Sequence, residues 1–203
     1  MPLTTARPWL IAVLLGLLTL SPAHAGMTPE EVKAFEGAKA KAEKGDAQAQ
    51  FWLGVSYAEG KGVAKDQVQA VSWWRKAAVQ GYDNAQMALG VCYANGTGVA
   101  KDQVQAVKWT RKGAEQGDVG CLEAMGVYYA NGLGVTKNLI EAYAYLSLAG
   151  ITYEHARELL TAHEKKMSAV QIAAGKKRAI VLQKEIDAKE AAKKAEDEKK
   201  AGK

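Results

Sequence analysis

The residue types that commonly catalyse reactions are few in this chain, and their spacing does not suggest an active site. The 203-residue sequence contains three histidines, His24, His155 and His163. A metal site needs about three or four ligands in a matched constellation. Neither these histidines nor a Ser-His-acid or paired-carboxylate pattern supplies such a set, and we interpret His155 and His163 as ordinary surface residues. The sequence predicts a protein that is not an enzyme and that has no metal and no cofactor.

One glycine-rich segment, Gly60-Lys61-Gly62-Val63, has the composition of a phosphate-binding loop. It fits neither G-x4-G-K-S/T nor G-x-G-x2-G, the patterns in which backbone N–H groups surround phosphates. The same glycines recur later in the chain. We therefore favour a repeated turn over a nucleotide site.

The chain repeats itself with a step of 36 residues. Residues 57 to 71 read YAEGKGVAKDQVQAV and residues 93 to 107 read YANGTGVAKDQVQAV. A fixed period in this range is typical of a solenoid, whose units stack because none of them buries its apolar face alone. A third copy follows, and the structural positions that keep the step are Gly54, Gly90 and Gly126; Tyr57, Tyr93 and Tyr129; Gly60, Gly96 and Gly132; Gly62, Gly98 and Gly134; and Trp73, Trp109 and Tyr145.

Each unit is predicted to consist of two antiparallel helices, which we call helix A and helix B. In the first unit, apolar residues recur every fourth position from Ala49 to Tyr57 and form one stripe along helix A. Gly60 is expected to end this helix in a left-handed conformation, and Asp66 to cap the start of helix B. Trp73, set against small alanines, is predicted to interlock helix B with its neighbour.

The order G-x3-A-x3-L-G-x2-Y-x2-G-x-G-V-x2-D-x3-A-x2-W-x3-A-A-x2-G, present from Gly45 to Gly81, resembles the Sel1-like repeat, a relative of the tetratricopeptide repeat. The resemblance implies an all-α fold, an α-solenoid of about three 36-residue helix-turn-helix repeats at 45–80, 81–116 and 117–153. The third copy has Asn138 in place of aspartate and Tyr145 in place of tryptophan, as expected of an end unit.

The repeats are flanked by segments of other kinds. Residues 1–25 contain a short apolar run before Ala23-His24-Ala25, which is typical of a secretory signal peptide, so we expect the mature chain to begin at Gly26. Residues 26–44 are predicted to form an N-terminal capping helix, and residues 154–186 a C-terminal helix pair. Residues 187–203 are charged and lack an apolar face, and we expect a disordered tail or a frayed helix there.

The two cysteines, Cys92 and Cys121, raise the question of a disulfide, because exported proteins often form them. Cys121 corresponds to Ala85 in the preceding copy, seven residues before Cys92. At ~1.5 Å per helical residue the two would be offset by ~10 Å along the helix axis, whereas a disulfide requires Cα atoms within ~7 Å. Buried thiols are the favoured interpretation, and a bridge stays an alternative.

Residues outside the repeated set are the candidates for contact with a partner. Trp52 follows Phe51 on helix A, and alanines hold its place in the next two copies. It is either a single large anchor for a partner or a residue that packs against the N-terminal capping helix. The candidate partner-binding residues are Trp52, Ser56, Cys92 and Tyr128 on helix A, with Trp74 and Tyr82 beside them.

The charge balance does not indicate nucleic-acid binding. Loss of Arg7 with the signal peptide leaves 26 of the 27 basic residues against 22 acidic ones, with both signs mixed along the chain. No stable membrane insertion is expected after signal removal. The family resemblance implies a non-catalytic scaffold or adaptor for a protein or peptide, acting in envelope signalling or assembly. An export signal places it in the periplasm of a Gram-negative source and outside the cell otherwise.

Two other functions are weighed against this one. Some cysteine-rich Sel1-like relatives have been discussed as hydrolases or β-lactam-binding proteins, but this chain lacks a regular cysteine pair in each repeat. The basic run Lys176-Lys177-Arg178 and the lysine-rich tail are compatible with binding to anionic envelope polymers, although the alternating acidic residues weaken that interpretation.

Overall fold

The computed structural model describes residues 28–201, which form α-helices joined by short turns. The helices are α1 (Pro29–Glu43), α2 (Ala47–Glu59), α3 (Gln67–Val79), α4 (Asp83–Asn95), α5 (Gln103–Ala114), α6 (Val119–Asn131), α7 (Leu139–Ala149), α8 (Glu154–Glu164) and α9 (Ala169–Ala201). The predicted signal peptide, residues 1–25, and the expected mature start at Gly26 lie outside the described residues.

Polar side chains cap the N-termini of several helices, among them α3, for which Asp66 is the predicted cap. The Thr28 hydroxyl accepts a hydrogen bond from the Glu31 backbone N–H at 3.2 Å, and the Glu31 carboxylate accepts one from the Thr28 N–H at 2.8 Å, which forms a capping box at the start of α1. Asp66 caps α3 by accepting from two backbone N–H groups at 2.9 and 3.0 Å. Its counterparts, which cap α5 and α7 in the same way, are Asp102 and Asn138.

Consecutive helices pack against one another from α1 to α7, and α7 then packs against both α8 and α9. The pairs α2 and α3, α4 and α5, and α6 and α7 are the three predicted units, and α1 lies against the first of them. The all-α solenoid prediction is confirmed.

Two glycines in each turn have separate roles. Gly60, Gly96 and Gly132 end the A helices with φ between 73° and 79°. The second glycine of each turn also has a positive φ and meets the preceding layer of the stack. A Cβ atom on Gly98 would overlap the Gln67 carbonyl at the start of α3. The equivalent contacts are Gly62 with Glu31 and Gly134 with Gln103.

A glycine on each A helix lets its B helix approach closely. A Cβ atom on Gly54 would lie 2.5 Å from the Trp74 indole, whose Nε1–H donates a hydrogen bond to the Phe51 carbonyl oxygen at 3.2 Å. Trp74 is consequently only 8% exposed. The same close contact joins Gly90 with Thr110 and Gly126 with Leu146.

The prediction assigned the interlocking role on α3 to the wrong tryptophan. Trp74, predicted as a surface residue, fills the core against Gly54, while Trp73 is only half-buried and packs against the N-terminal residues around Phe35. The Lys76 ammonium group covers the Trp73 ring at 3.6 Å from its centroid. Trp109 and Tyr145, which occupy the position of Trp73 in the second and third repeats, are both buried.

The predicted C-terminal helix pair consists of α8 and the first half of α9. Three apolar residues of α9, Ala179, Leu182 and Ile186, join the main core. Where α9 crosses α7, a Cβ atom on Gly175 would lie 2.6 Å from the Tyr143 ring, so this glycine allows close packing.

In the charged tail, where a disordered segment or a frayed helix is expected, α9 continues as one helix to Ala201. Every described side chain from 187 to 199 is exposed. The helix is nevertheless attached to the second repeat by polar contacts. Lys189 forms an ion pair with Glu115 at 2.8 Å, and the Lys193 ammonium donates to the Gln116 side-chain oxygen at 2.7 Å.

Candidate functional site

Helix α2 presents one large aromatic side chain to solvent. Trp52 is 53% exposed, and its ring meets the Phe51 ring edge-on at a centroid distance of 5.3 Å. It borders a cleft of about 480 Å³ between α1 and α2, which we call the Trp52 cleft. The cleft is lined by Ala34, Gly37, Ala38, Lys41, Asp46, Gln48, Ala49 and Trp52. Three small residues of α1, Ala34, Gly37 and Ala38, lie in this lining and leave room beside the indole.

Two further predicted contact residues, Ser56 and Tyr82, lie near Trp52 and are half-buried. The Ser56 hydroxyl donates to the Trp52 carbonyl oxygen at 3.1 Å, one helical turn away. The Tyr82 ring lies 5.3 Å from the Phe51 ring. Tyr82, Phe51 and Trp52 therefore form a continuous aromatic row at the edge of the cleft.

The remaining three predicted contact residues are buried, which corrects the expectation that they lie on a surface. Trp74, Cys92 and Tyr128 have exposed fractions of 8%, 4% and 9% and belong to the main core. Cys92 and Tyr128 occupy the position of Ser56 in the later repeats, where the neighbouring helices enclose it. Comparison of the repeats at the 36-residue step shows that this position varies, but it does not show that neighbouring helices bury it.

Both cysteines are free thiols within the core. Burial raises the pKa of Cys92, and burial together with the Asp118 carboxylate raises the pKa of Cys121. The thiolate is the nucleophilic form of cysteine, so these environments suppress thiol reactivity. Cys121 also fills the space beside Gly113, where a Cβ atom would lie 2.5 Å from its sulfur.

A pair of arginine–tyrosine contacts, which the sequence interpretation missed, recurs with the 36-residue step. The Arg111 guanidinium donates to the Tyr129 hydroxyl at 2.9 Å and lies 5.7 Å from the centroid of that ring. Arg75 donates to the Tyr93 hydroxyl in the same way one repeat earlier. The signal was available, because both the arginines and the tyrosines are 36 residues apart.

Arg111 lies at the edge of a cavity of about 490 Å³, which we call the Arg111 cavity. The cavity is lined by Arg111, Tyr129, Val135, Thr136, Lys137, Asn138, Glu141 and Arg178. Arg178 comes from α9, and its Nε–H donates to the Glu141 carboxylate at 2.8 Å. Three cationic side chains therefore surround this cavity together with one carboxylate.

A larger space, of about 790 Å³, separates the charged end of α9 from the second repeat. Its walls carry both signs of charge, with Lys112 and Asp83 on the side of the repeat and Lys193, Lys194 and Glu190 among the residues of α9. The mixture gives this space no clear preference for an anion or a cation.

The two histidines in the described part of the chain make local contacts. The His155 imidazole contacts the Glu123 carboxylate at 2.7 Å, and the His163 Nδ1–H donates to the Leu159 carbonyl oxygen at 2.7 Å. Within residues 28–201, no group of His, Cys, Asp and Glu side chains has an arrangement that would hold a metal ion. No helix in the same part of the chain combines the length and the apolar character that a bilayer span requires.

Stacked helix pairs joined by glycine turns define this molecule as an α-solenoid repeat protein. The Sel1 repeat model matches residues 47–82, 83–118 and 121–150, which together make up half of the sequence. The chain belongs to the Sel1 repeat family. Proteins of this family are typically non-catalytic scaffolds for protein–protein interaction.

Solved structures with the same fold include a Sel1 repeat protein from Oxalobacter formigenes, with 36% identity, a TM-score of 0.60, and coverage of 64% of this chain and 54% of that one. A second is c5321, a protective antigen of uropathogenic Escherichia coli strains, with 28% identity, a TM-score of 0.59, and coverage of 81% and 44%. This chain thus spans about half the length of each.

The Helicobacter pylori cysteine rich protein B shares 23% identity over 64% of this chain and 96% of its own, with a TM-score of 0.52. At that identity the similarity concerns the fold alone. No curated protein matches the sequence.

Proposed function

We propose that this protein is a non-catalytic scaffold that binds a protein or peptide partner outside the cytoplasm, and that the Trp52 cleft is its principal contact surface. The observation that carries the proposal is the half-exposed Trp52 indole at a cleft whose lining includes the small residues Ala34, Gly37 and Ala38 of α1. Tryptophan is enriched among the residues that dominate interface energies, especially where it fills or borders a pocket. An apolar partner side chain would enter the cleft and bury the exposed face of the indole.

The family supports the class of function. A solenoid displays an extended surface whose individual units contact only their neighbours, and the Sel1 repeats of this chain provide such a surface. The environment of the two cysteines also favours a scaffold over thiol chemistry, since burial raises both thiol pKa values.

The proposed location depends on the signal-like N-terminus, with its apolar run from Trp9 to Leu20 and the small residues that follow. A relative with 28% identity is described as a protective antigen, which suits a protein that acts outside the cytoplasm, in envelope signalling or assembly. Cell fractionation together with N-terminal sequencing tests this part. Recovery of a chain that starts at Gly26 from the exported fraction is the expected result, and an unprocessed chain in the cytoplasm would contradict it.

Binding is tested by capture from the native envelope fraction, with tagged protein purified in its mature form. The wild type is compared with Trp52→Ala and with Val79→Ala, a matched control that truncates an apolar side chain 68% exposed on α3. We expect the wild type and Val79→Ala to capture the same partners and Trp52→Ala to lose them. The helical circular dichroism of all three proteins should be the same. Equal capture by Trp52→Ala would exclude the Trp52 cleft, and no capture by the wild type would argue against a scaffold.

A further inference from the structure

Arg111 is held in place without a carboxylate partner. One of its terminal nitrogens donates to the Tyr129 hydroxyl at 2.9 Å, and the Tyr129 ring stacks on the buried Tyr145 ring at a centroid distance of 5.7 Å and an angle of 18°. Within the part of the chain that the structure describes, no Asp or Glu forms an ion pair with this guanidinium. A guanidinium has five N–H donors, and the bond to Tyr129 is the one hydrogen bond that the Arg111 guanidinium donates within the described residues.

Two more cations line the same cavity. Arg178 reaches it from α9 and is paired with Glu141 at 2.8 Å and with Glu185 at 3.2 Å, whereas Lys137 is exposed at its rim. Glu141 is the one carboxylate in the lining. The cavity also faces the N-terminus of α7, whose partial positive charge favours an anion.

The arrangement recurs one repeat earlier. Arg75 donates to the Tyr93 hydroxyl, Lys101 is the counterpart of Lys137, and Gln105 replaces Glu141. Arg75 likewise forms no ion pair with a carboxylate among the described residues. The repeats thus carry two similar cationic positions, each with an arginine fixed by a tyrosine hydroxyl.

We propose that the Arg111 cavity, together with the corresponding arginine–tyrosine position at Arg75, binds the carboxylate side chains of an acidic segment in the protein partner. This inference rests on the proposed function, since it names the chemistry of that partner. The planar fork of arginine matches a carboxylate with two parallel N–H···O bonds. Because tyrosine already fixes each guanidinium, little additional side-chain entropy is lost when a ligand binds.

The neighbouring acids favour a monoanionic group over a more highly charged one. Glu141 lines the first position, and Asp102 caps the helix at the second. Like charges at short range oppose the binding of an anion, and the opposition grows with the charge of the ligand. A carboxylate therefore suits these positions better than a phosphate or a densely sulfated or phosphorylated polymer.

The test uses fluorescence anisotropy with the mature protein and a labelled peptide of alternating glutamate and glycine. The matching peptide with glutamine in place of glutamate is the ligand control. The protein variants are Arg111→Gln, Arg111→Lys and, as a charge-matched control away from the cavity, Lys165→Gln. Tyr129→Phe removes the hydroxyl that holds Arg111 and leaves the ring in place.

We expect the wild type to bind the glutamate peptide and not the glutamine peptide. Arg111→Gln should raise the Kd about tenfold or more, as expected for loss of a hydrogen bond to a charged group. Arg111→Lys and Tyr129→Phe should raise it less, and Lys165→Gln should leave it unchanged, with helical circular dichroism the same in every variant.

An equal increase of the Kd in Lys165→Gln would show that the effect depends on net charge alone, and it would overturn the proposal. So would an unchanged Kd in Arg111→Gln, no binding of the glutamate peptide, or binding of inorganic phosphate or an anionic polysaccharide in its place. If capture of a partner depended on Trp52 but the peptide test failed, the proposed function would stand and this inference alone would be rejected.

Discussion

Three glycines of this chain allow the energetic cost of a left-handed backbone to be distinguished from the cost of a steric clash. Gly98 has φ +68° and meets the Gln67 carbonyl of the preceding layer, Gly81 has φ +90° but open space around it, and Gly37 lies inside α1 with neither constraint. Alanine at Gly37 should stabilise the protein by about 0.5–1 kcal/mol, because alanine forms helix better. Gly81→Ala should cost about 1–2 kcal/mol for the left-handed conformation, and Gly98→Ala should cost more than Gly81→Ala.

Urea unfolding followed by helical circular dichroism measures all three variants against the wild type. The order Gly37→Ala, wild type, Gly81→Ala, Gly98→Ala in decreasing stability is the expected result. If Gly98→Ala were no less stable than Gly81→Ala, the close contact between turn and layer would have no energetic role.

Tyr145 gives the fold a specific sensitivity to alkaline pH. Burial raises the pKa of Tyr145 to about 12, although Arg111 lies near enough to lower it. An unfolded tyrosine ionises near ~10. Below that pH the contribution of Tyr145 to stability is fully present, and it is lost as the pH rises towards 12, because the unfolded chain releases this proton first.

The loss attributable to Tyr145 should reach roughly 2–3 kcal/mol by pH 12. Tyr145→Phe removes the ionisable hydroxyl. In urea titrations at about pH 9 and about pH 11, on either side of the pKa of an unfolded tyrosine, its free energy of unfolding should therefore fall less than that of the wild type. Parallel decreases in the two proteins would show that Tyr145 ionises equally in the folded and unfolded states.

At the scale of the element, most of the fold was predictable because its signals are local. The apolar stripe repeats every fourth residue along a helix, and the aspartate cap and the αL glycine act within a few residues of its ends. Together these signals predict both the helix pairs and the turns. The exchange of roles between Trp73 and Trp74 shows where this reasoning stops. Adjacent residues of a helix differ in direction by about 100°. The gap at Gly54 on the facing helix admits the Trp74 ring, whereas Trp73 packs towards the N-terminal residues around Phe35.

The same limit applies to α9 and to the binding surfaces. The expectation for the tail rests on its lack of an apolar face, and the alanine, lysine and glutamate of this segment have high helix propensity. The contact of Lys193 with Gln116 joins residues 77 apart in sequence, and no local pattern indicates it. Trp52 could be identified from the sequence because it differs from the alanines at its position in the other repeats. The Arg111 cavity could not, because its lining includes Arg178 from α9, which is distant in sequence.

Truncation separates the packed half of α9 from its polar half. A chain that ends at Asp187 loses the Lys189–Glu115 ion pair and the Lys193 contact, and exposed pairs of this kind contribute ~0–1 kcal/mol each. Ile186 is 3% exposed, so Ile186→Ala should cost about 2–5 kcal/mol. Thermal unfolding should therefore show a small decrease in Tm for the truncation and a large one for Ile186→Ala. Equal decreases would mean that the exposed half of α9 stabilises the repeats as strongly as its core half.

At the scale of the whole molecule, the described residues form two clusters of buried side chains. The smaller one, around Phe35 and Leu53, joins α1 to the first repeat, and the larger one extends from Ala70 to Ile186. Because each layer of a solenoid contacts only its neighbours, a defect should loosen nearby layers and leave distant ones folded.

Hydrogen exchange with peptide-level mass spectrometry tests this local behaviour with two substitutions of similar expected cost, ~3–5 kcal/mol each. Phe35→Ala should raise amide exchange in α1 and α2 and leave α5 to α7 protected, since Phe35 belongs to the smaller cluster. Trp109→Ala lies in the middle of the stack, where its side chain is 8% exposed, and should raise exchange on both sides, from α4 to α7. If either substitution raised exchange evenly from α1 to α9, the protein would unfold as one cooperative unit and the two clusters would not be separable.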